Sequence, residues 1–178
     1  MPKHTQHIFS HFLIGMPASG KSTFAQWLQR QTEAIIISTD EIRTALYGDA
    51  KVQGSWAAIE TEVLKNIGEA IAQQQPIIYD ATNTNYVWRG DFLRRCPPIT
   101  WVAWWLNVSV EICLERNQRR SRLVPPEIVQ HMATELHHNP PSNGEGFLET
   151  ITLHDTDVAT LTALKKQHPQ YLGGSKNI

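Results

Sequence analysis

Cysteine is nearly absent from this 178-residue sequence, with only Cys96 and Cys113 present. Two thiols build no disulfide framework, and these lack the spacing of metal ligands, so both read as packing thiols in a reducing compartment. Long apolar runs are missing too. No stretch approaches the roughly 18 consecutive apolar residues of a membrane helix, and the opening MPKHTQH has no apolar segment of a secretory signal. The expectation is a cytoplasmic protein without a membrane partner. Neither sign of charge dominates. Sixteen basic and 17 acidic residues leave a net charge of -1, which excludes a global pull on nucleic acid and makes any polyanion site local. The histidines His4, His7 and His11, and later His137 and His138, have no cysteine or carboxylate placed to complete a metal site. They read as surface or helix-end residues.

What is present is an ordinary globular composition, 41% hydrophobic and 19% charged. A chain of this length buries roughly 70% of its unfolded surface, which suits a single domain over 1–178. Short apolar runs flanked by turn residues alternate with helix-period segments, the pattern of repeated β-α units and a parallel sheet covered on both faces. Strands are expected at 8–14, 34–38, 76–79, 99–106 and 147–153. Helices are expected at 21–30, 40–47, 57–73, 86–95, 110–119, 127–137 and 155–166. In the third of these, Ile59, Val63, Ile67 and Ile71 recur at intervals of four as a stripe for sheet packing. Trp101, Trp104 and Trp105 fall in an expected strand and read as core. Pro125-Pro126 opens a helix, because proline is tolerated in a first turn. NPPSNGEG reads as a loop, and the end, about 172–178, as a frayed tail.

Between the first strand and the first helix lies GMPASGKST, residues 15–23, which satisfies G-x-x-x-x-G-K-[ST] in the context that motif requires. The nine residues Gly15, Met16, Pro17, Ala18, Ser19, Gly20, Lys21, Ser22 and Thr23 form the expected nucleotide cradle. Its amides and the helix amino end converge on an anion, so few charged side chains are needed. Lys21 is expected on the β- and γ-phosphates and Ser22 on Mg²⁺. Asp80 closes PIIYD at the carboxyl end of a strand, where it can hold the metal shell. A plain turn or cap aspartate is the alternative there.

The second strand runs into Ser38-Thr39-Asp40-Glu41-Ile42-Arg43. Ser38 and Glu41 have capping-box spacing, which puts Asp40 in a first helical turn and Arg43 about one turn on. Asp40 can serve the helix dipole alone, or can accept a proton from an attacking hydroxyl as a general base. Arg43 can be a surface ion pair or can hold an acceptor phosphate. ERNQRRSR supplies Arg116, Arg119, Arg120 and Arg122. If the helix continues, Arg116 and Arg120 grip one phosphate chain as part of a mobile lid over about 116–126. A solvated helix face and a nucleic-acid patch are the other readings.

Taken in order, GMPASGKST, STDEIR, IIYDATNTNYVWR, ERNQRRSRLVPPEIVQHM and EGF resemble the P-loop kinase group that includes the polynucleotide 5'-hydroxyl kinase domain and zeta-toxin-like kinases. The resemblance covers about residues 8–153. It implies a doubly wound parallel five-stranded α/β sheet of order 2-3-1-4-5, with the phosphate-loop strand central. It also implies ATP and Mg²⁺ as cofactors, Lys21, Ser22 and the loop on nucleotide and metal, and Asp40 as general base. Arg43 is implied on acceptor phosphate or transition state, Asp80 near the metal, Asn83 supporting that loop on the acceptor side, and Arg116 and Arg120 as lid arginines. The acceptor so implied is a polynucleotide or nucleotide 5'-hydroxyl. A metabolite, sugar-nucleotide or antibiotic hydroxyl is the first alternative, which near-neutral charge favours. An ATP-binding switch with slow hydrolysis is the second, although N-K-x-D and a second ATPase signature loop are both missing from the sequence.

Overall fold

The computed structural model describes residues 8–173. The readings of His4, His7 and of the tail from 174 onward lie outside them. Five strands, β1 (Ser10–Ile14), β2 (Ile35–Ser38), β3 (Ile77–Asp80), β4 (Trp101–Leu106) and β5 (Glu149–Leu153), form one sheet of order β2-β3-β1-β4-β5. Every pairing is parallel. The helices are α1 (Lys21–Thr32), α2 (Thr39–Tyr47), α3 (Trp56–Ala72), α4 (Tyr86–Arg95), α5 (Val110–Gln118), α6 (Pro126–His138), α7 (Val158–Gln167) and the short α8 (Pro169–Leu172). This is the doubly wound α/β sheet expected, with the phosphate-loop strand in the centre. Parallel neighbours require crossovers, and each crossover lays helices over a sheet face.

Burial on both faces explains why the strands read as apolar runs rather than alternations. All of β1 is buried. Phe12 and Ile14 face one core with Tyr79, Phe92, Ile59, Val63 and Ile67. Leu13 faces the other with Phe24, Leu28, Ile78, Trp104 and Leu164. Phe12 is ringed by aromatics at centroid distances of 5.1–5.8 Å, from Phe147, Tyr79, Trp101 and Phe92. Trp101 and Trp104 are core residues, and Trp105 is partly buried.

Five expectations need correction. Strands start one to two residues later than the apolar runs; before β4 stand Pro97-Pro98, which have no amide for a ladder. Ile71 is exposed and Ala70 is buried in its place, because a strict four-residue interval advances 40° per step against the helix and leaves the core face by the fourth residue. His11 is no surface residue. It sits inside β1 at 1% exposure, accepting from the Trp104 indole N–H at 3.0 Å, whereas His137 and His138 are indeed in the last turn of α6. Within NPPSNGEG, residues Asn143–Glu145 make a 3-10 turn closed by a capping box between Ser142 and Glu145. Leu172, assigned to the tail, packs with Tyr171 on the second core. Among the described residues no helix is long and apolar enough to cross a membrane.

Candidate active site

The turn after β1 is shaped by what it cannot accommodate. A Cβ on Gly15 would fall 2.8 Å from Ser19 Oγ and 3.1 Å from the Leu106 carbonyl oxygen, and Gly20 holds φ +97 at the head of α1. Glycine alone meets the first demand and relieves the second. The turn is held from below by the segment after β3. Gly15 N–H donates to Thr82 O at 2.9 Å, and Asn83 Nδ2 donates to Leu13 O at 2.8 Å. Asn83 adopts φ +50, a conformation asparagine tolerates. Inside the turn Ser19 Oγ is buried without a hydrogen-bond partner.

Lys21 and Ser22 open α1. Lys21 Nζ is buried and donates to Met16 O at 2.7 Å. Burial lowers its pKa to about 8, with Asp80 opposing the shift. Ser22 Oγ donates to Asp80 Oδ2 at 2.9 Å. Asp80 is the last residue of β3, in register with Ser38, and α4 takes its cap from Asn85, so the turn-cap reading of Asp80 is not met. Burial pushes the Asp80 carboxyl upward, against the pull of Lys21 and of the Ser22 hydroxyl. Among the described residues no three His, Cys, Asp or Glu side chains cluster as a metal site. Two hard oxygen donors beside a phosphate cradle nevertheless suit Mg²⁺, which keeps several waters and takes substrate phosphate oxygens as ligands.

Facing them is the head of α2. Ser38 Oγ accepts from Glu41 N–H at 3.4 Å. Arg43 Nη1 donates to Asp40 Oδ1 at 2.9 Å; the Arg43 side chain is 14% exposed and its Nε is buried without a partner. Arg122 Nη1 lies 2.7 Å from the same Oδ1. Arg43 is therefore no surface ion pair, and Asp40 answers to more than its helix dipole.

The segment carrying Arg122 lies outside a helix, since α5 ends at Gln118, one residue before the expected end, and does not continue. Asn117, 1% exposed, closes it: Nδ2 donates to Val124 O at 2.6 Å and Oδ1 accepts from Val124 N–H at 3.1 Å. Arg116 and Arg120 line the same cavity although they do not share a helix, while Arg119 turns out to Glu115 at 2.6 Å. That cavity, of about 1130 Å³, also takes in Lys21, Ser22, Asp40, Arg43, Asp80, Asn83 and Arg122. Pro17, Ala18, Gly20 and Thr23 line it too, whereas Gly15, Met16 and Ser19 shape the turn from behind.

The sequence gives little sign of the residues that brace this cavity. Arg89 is fully buried on α4, donating to Glu145 Oε2 at 2.8 Å and Oε1 at 3.1 Å, and to the carbonyls of Asn83, Thr84 and Asn139 at 2.9–3.1 Å. Arginine is a surface residue by default, so nothing flags it. Only the Ser142-x-x-Glu145 spacing offered a hint. Glu135 on α6 accepts from Thr84 Oγ1 at 3.1 Å and from Asn85 Nδ2 at 2.5 Å, fastening the same segment to another helix.

A family model described as an AAA domain matches residues 11–137 of the chain. L-seryl-tRNA(Sec) kinase of Methanococcus maripaludis is 26% identical over 158 residues, which are 82% of this chain and 58% of that protein. The Pnkp1/Rnl/Hen1 RNA repair complex contains a chain that superposes with a TM-score of 0.67 at 22% identity, over 76% of this chain and 46% of that one. A gluconokinase from Sinorhizobium meliloti 1021 superposes with a TM-score of 0.56 at 17% identity, over 94% and 91%. The chain thus spans about half the length of the first two relatives. It belongs to this AAA-domain family, and its sheet order is that of the P-loop kinase fold.

Proposed function

We propose that the protein is an ATP-dependent phosphotransferase that moves the γ-phosphate to a hydroxyl, the acceptor being the 5'-hydroxyl of a polynucleotide or nucleotide. The reading is carried by one observation: Asp40, bound by two arginines through a single oxygen, lines the same cavity as Lys21, Ser22 and Asp80. A carboxylate so held in the same cavity as the cradle is placed to take the proton of an attacking hydroxyl. The acceptor oxygen attacks the γ-phosphorus, the bond to the β–γ bridging oxygen breaks, and ADP leaves. The hydroxyl proton passes to Asp40, whose Oδ2 is the oxygen away from both arginine contacts. Lys21 and the amides of the turn hold the phosphates. Arg116 and Arg120 add positive charge where it develops, from a segment acting as a lid. Ser22 and Asp80 would hold Mg²⁺, which supplies charge neutralisation to the phosphates when bound.

The tRNA kinase and the RNA repair complex support a nucleic-acid acceptor. The gluconokinase likeness and the net charge of -1 favour a second reading, the same transfer to a small-metabolite hydroxyl. Labelled ATP offered with 5'-hydroxyl oligonucleotides, nucleosides, sugar acids and no acceptor separates them. Label in the oligonucleotide supports the first reading, label in a sugar acid the second, and release to water alone defeats both.

A further inference from the structure

The cavity that holds Asp40 is also lined by two tryptophans that the transfer reading does not use. Trp56 opens α3 and Trp88 lies in the first turn of α4; both line the cavity, yet they are 48% and 74% exposed. Their backbones are fixed. Ser55 caps α3, and the Trp88 N–H donates to the Asn85 cap at 3.0 Å. Trp27, Trp101 and Trp104 are buried in the two cores, and Trp105 packs against one of them, so packing accounts for the other four tryptophans and not for these two. Ile128 and Met132 of α6 join the same lining. The charges nearby neutralise one another. Arg95 is paired with the buried Glu60 at 2.5 and 2.7 Å and with Asp91 at 2.5 Å. The two indoles offer flat apolar area on capped helix starts, which suits a planar ring better than a sugar acid or an aliphatic alcohol.

Resting on the hydroxyl-transfer reading above, we infer that Trp56 and Trp88 form a ring-binding surface that takes the nucleobase of the residue to be phosphorylated. Any of the four bases satisfies it, because every base has a π-face. What it rejects is an acceptor with no base at that position.

The test is binding, which needs no turnover. A 3'-dye-labelled 5'-hydroxyl oligonucleotide, and the same strand with an abasic 5'-terminal residue, are titrated by fluorescence anisotropy with a non-hydrolysable ATP analogue present. The base-bearing strand binds at least about tenfold more tightly, equivalent to about 1.4 kcal/mol. In the Trp56→Ala/Trp88→Ala protein the two strands bind within about twofold of each other, while Trp88→Phe, which keeps a ring, retains most of the preference. Equal binding of the two strands by the unaltered protein, no binding of either, or a tenfold preference surviving in the double variant overturns the inference. Base-dependent binding without phosphate transfer to any hydroxyl leaves the ring surface standing and removes the transferase reading instead.

Discussion

Arg122, from the segment between α5 and α6, meets Asp40 at 2.7 Å across the cavity, on the carboxylate oxygen that Arg43 also takes from within α2. One oxygen is thus fixed by two cations and the other is free of both contacts, where the proposed base would act. Asp40→Asn keeps the shape and removes the base, so transfer to the acceptor falls about 10²- to 10⁴-fold in kcat with the KM for ATP little altered. Steady-state kinetics check this. Arg122→Ala leaves the carboxylate held from one side only and lowers kcat/KM by about tenfold, and Arg122→Lys recovers part of the loss.

Lys21 predicts a pH profile. Its pKa near 8 in the open cradle means that it loses its proton above pH 8, and bound phosphates favour the charged form. ATP affinity is therefore level below pH 7 and weakens above pH 8, approaching about tenfold per pH unit. KM for ATP measured from pH 6.5 to 9.5 shows the rise, and a level profile contradicts it. Lys21→Ala removes ATP turnover.

Asp80 is bonded to Ser22 at 2.9 Å and held above the ordinary carboxylate range by burial. Asp80→Asn keeps the hydrogen bond to Ser22 and loses the charge for the metal. The Mg²⁺ concentration for half-maximal activity rises at least about tenfold, while saturating Mg²⁺ restores much of the rate. A metal titration of the two proteins decides it.

How legible the fold was depended on where burial was periodic. Five apolar runs located five strands, and the helix starts at Lys21, Tyr86 and Val110 fell where expected. The placement of β1 between β3 and β4 came from the resemblance of the motifs, since no local pattern encodes strand order. The phosphate turn was readable because its backbone imposes glycine at fixed spacing. Arg89 was not, and Arg122 was readable only as one of an arginine run, because each acts through a partner remote in sequence, and no spacing rule links Arg89 to Glu145 or Arg122 to Asp40. Ile71 shows the opposite failure, a regular pattern extended one turn further than the helix geometry allows.

Arg89 and Glu145 are 0% and 3% exposed. Removing one partner strands a buried charge, so Arg89→Met costs about 3–5 kcal/mol of stability. Arg94→Ala, which breaks an exposed pair on the same helix, costs about 0.5 kcal/mol or less. Urea denaturation of both variants gives the contrast.

His11 sets an acid limit. Burial lowers its pKa from 6.5 to about 4, so the folded state holds it neutral while the unfolded chain takes up a proton. Stability is complete above pH 6.5 and falls as pH drops from 6.5 towards 4, by about 3 kcal/mol in all. Thermal unfolding at pH 7.5 and 4.5 measures the loss. A His11→Gln protein has a lower melting temperature at pH 7.5 but a smaller decline between the two.

The ties of Arg89 also bear on the order in which the molecule is finished. β1 and its turn are made before the segments that support them, for the turn rests on Asn83 and Thr82, and the Asn83 carbonyl rests on an arginine whose carboxylate partner, Glu145, is synthesised later still. As the chain emerges, with its early parts free to collapse first, the nucleotide cradle exists in outline long before its floor is locked. A nascent chain halted before Glu145 holds its most motif-rich segment in unfinished form.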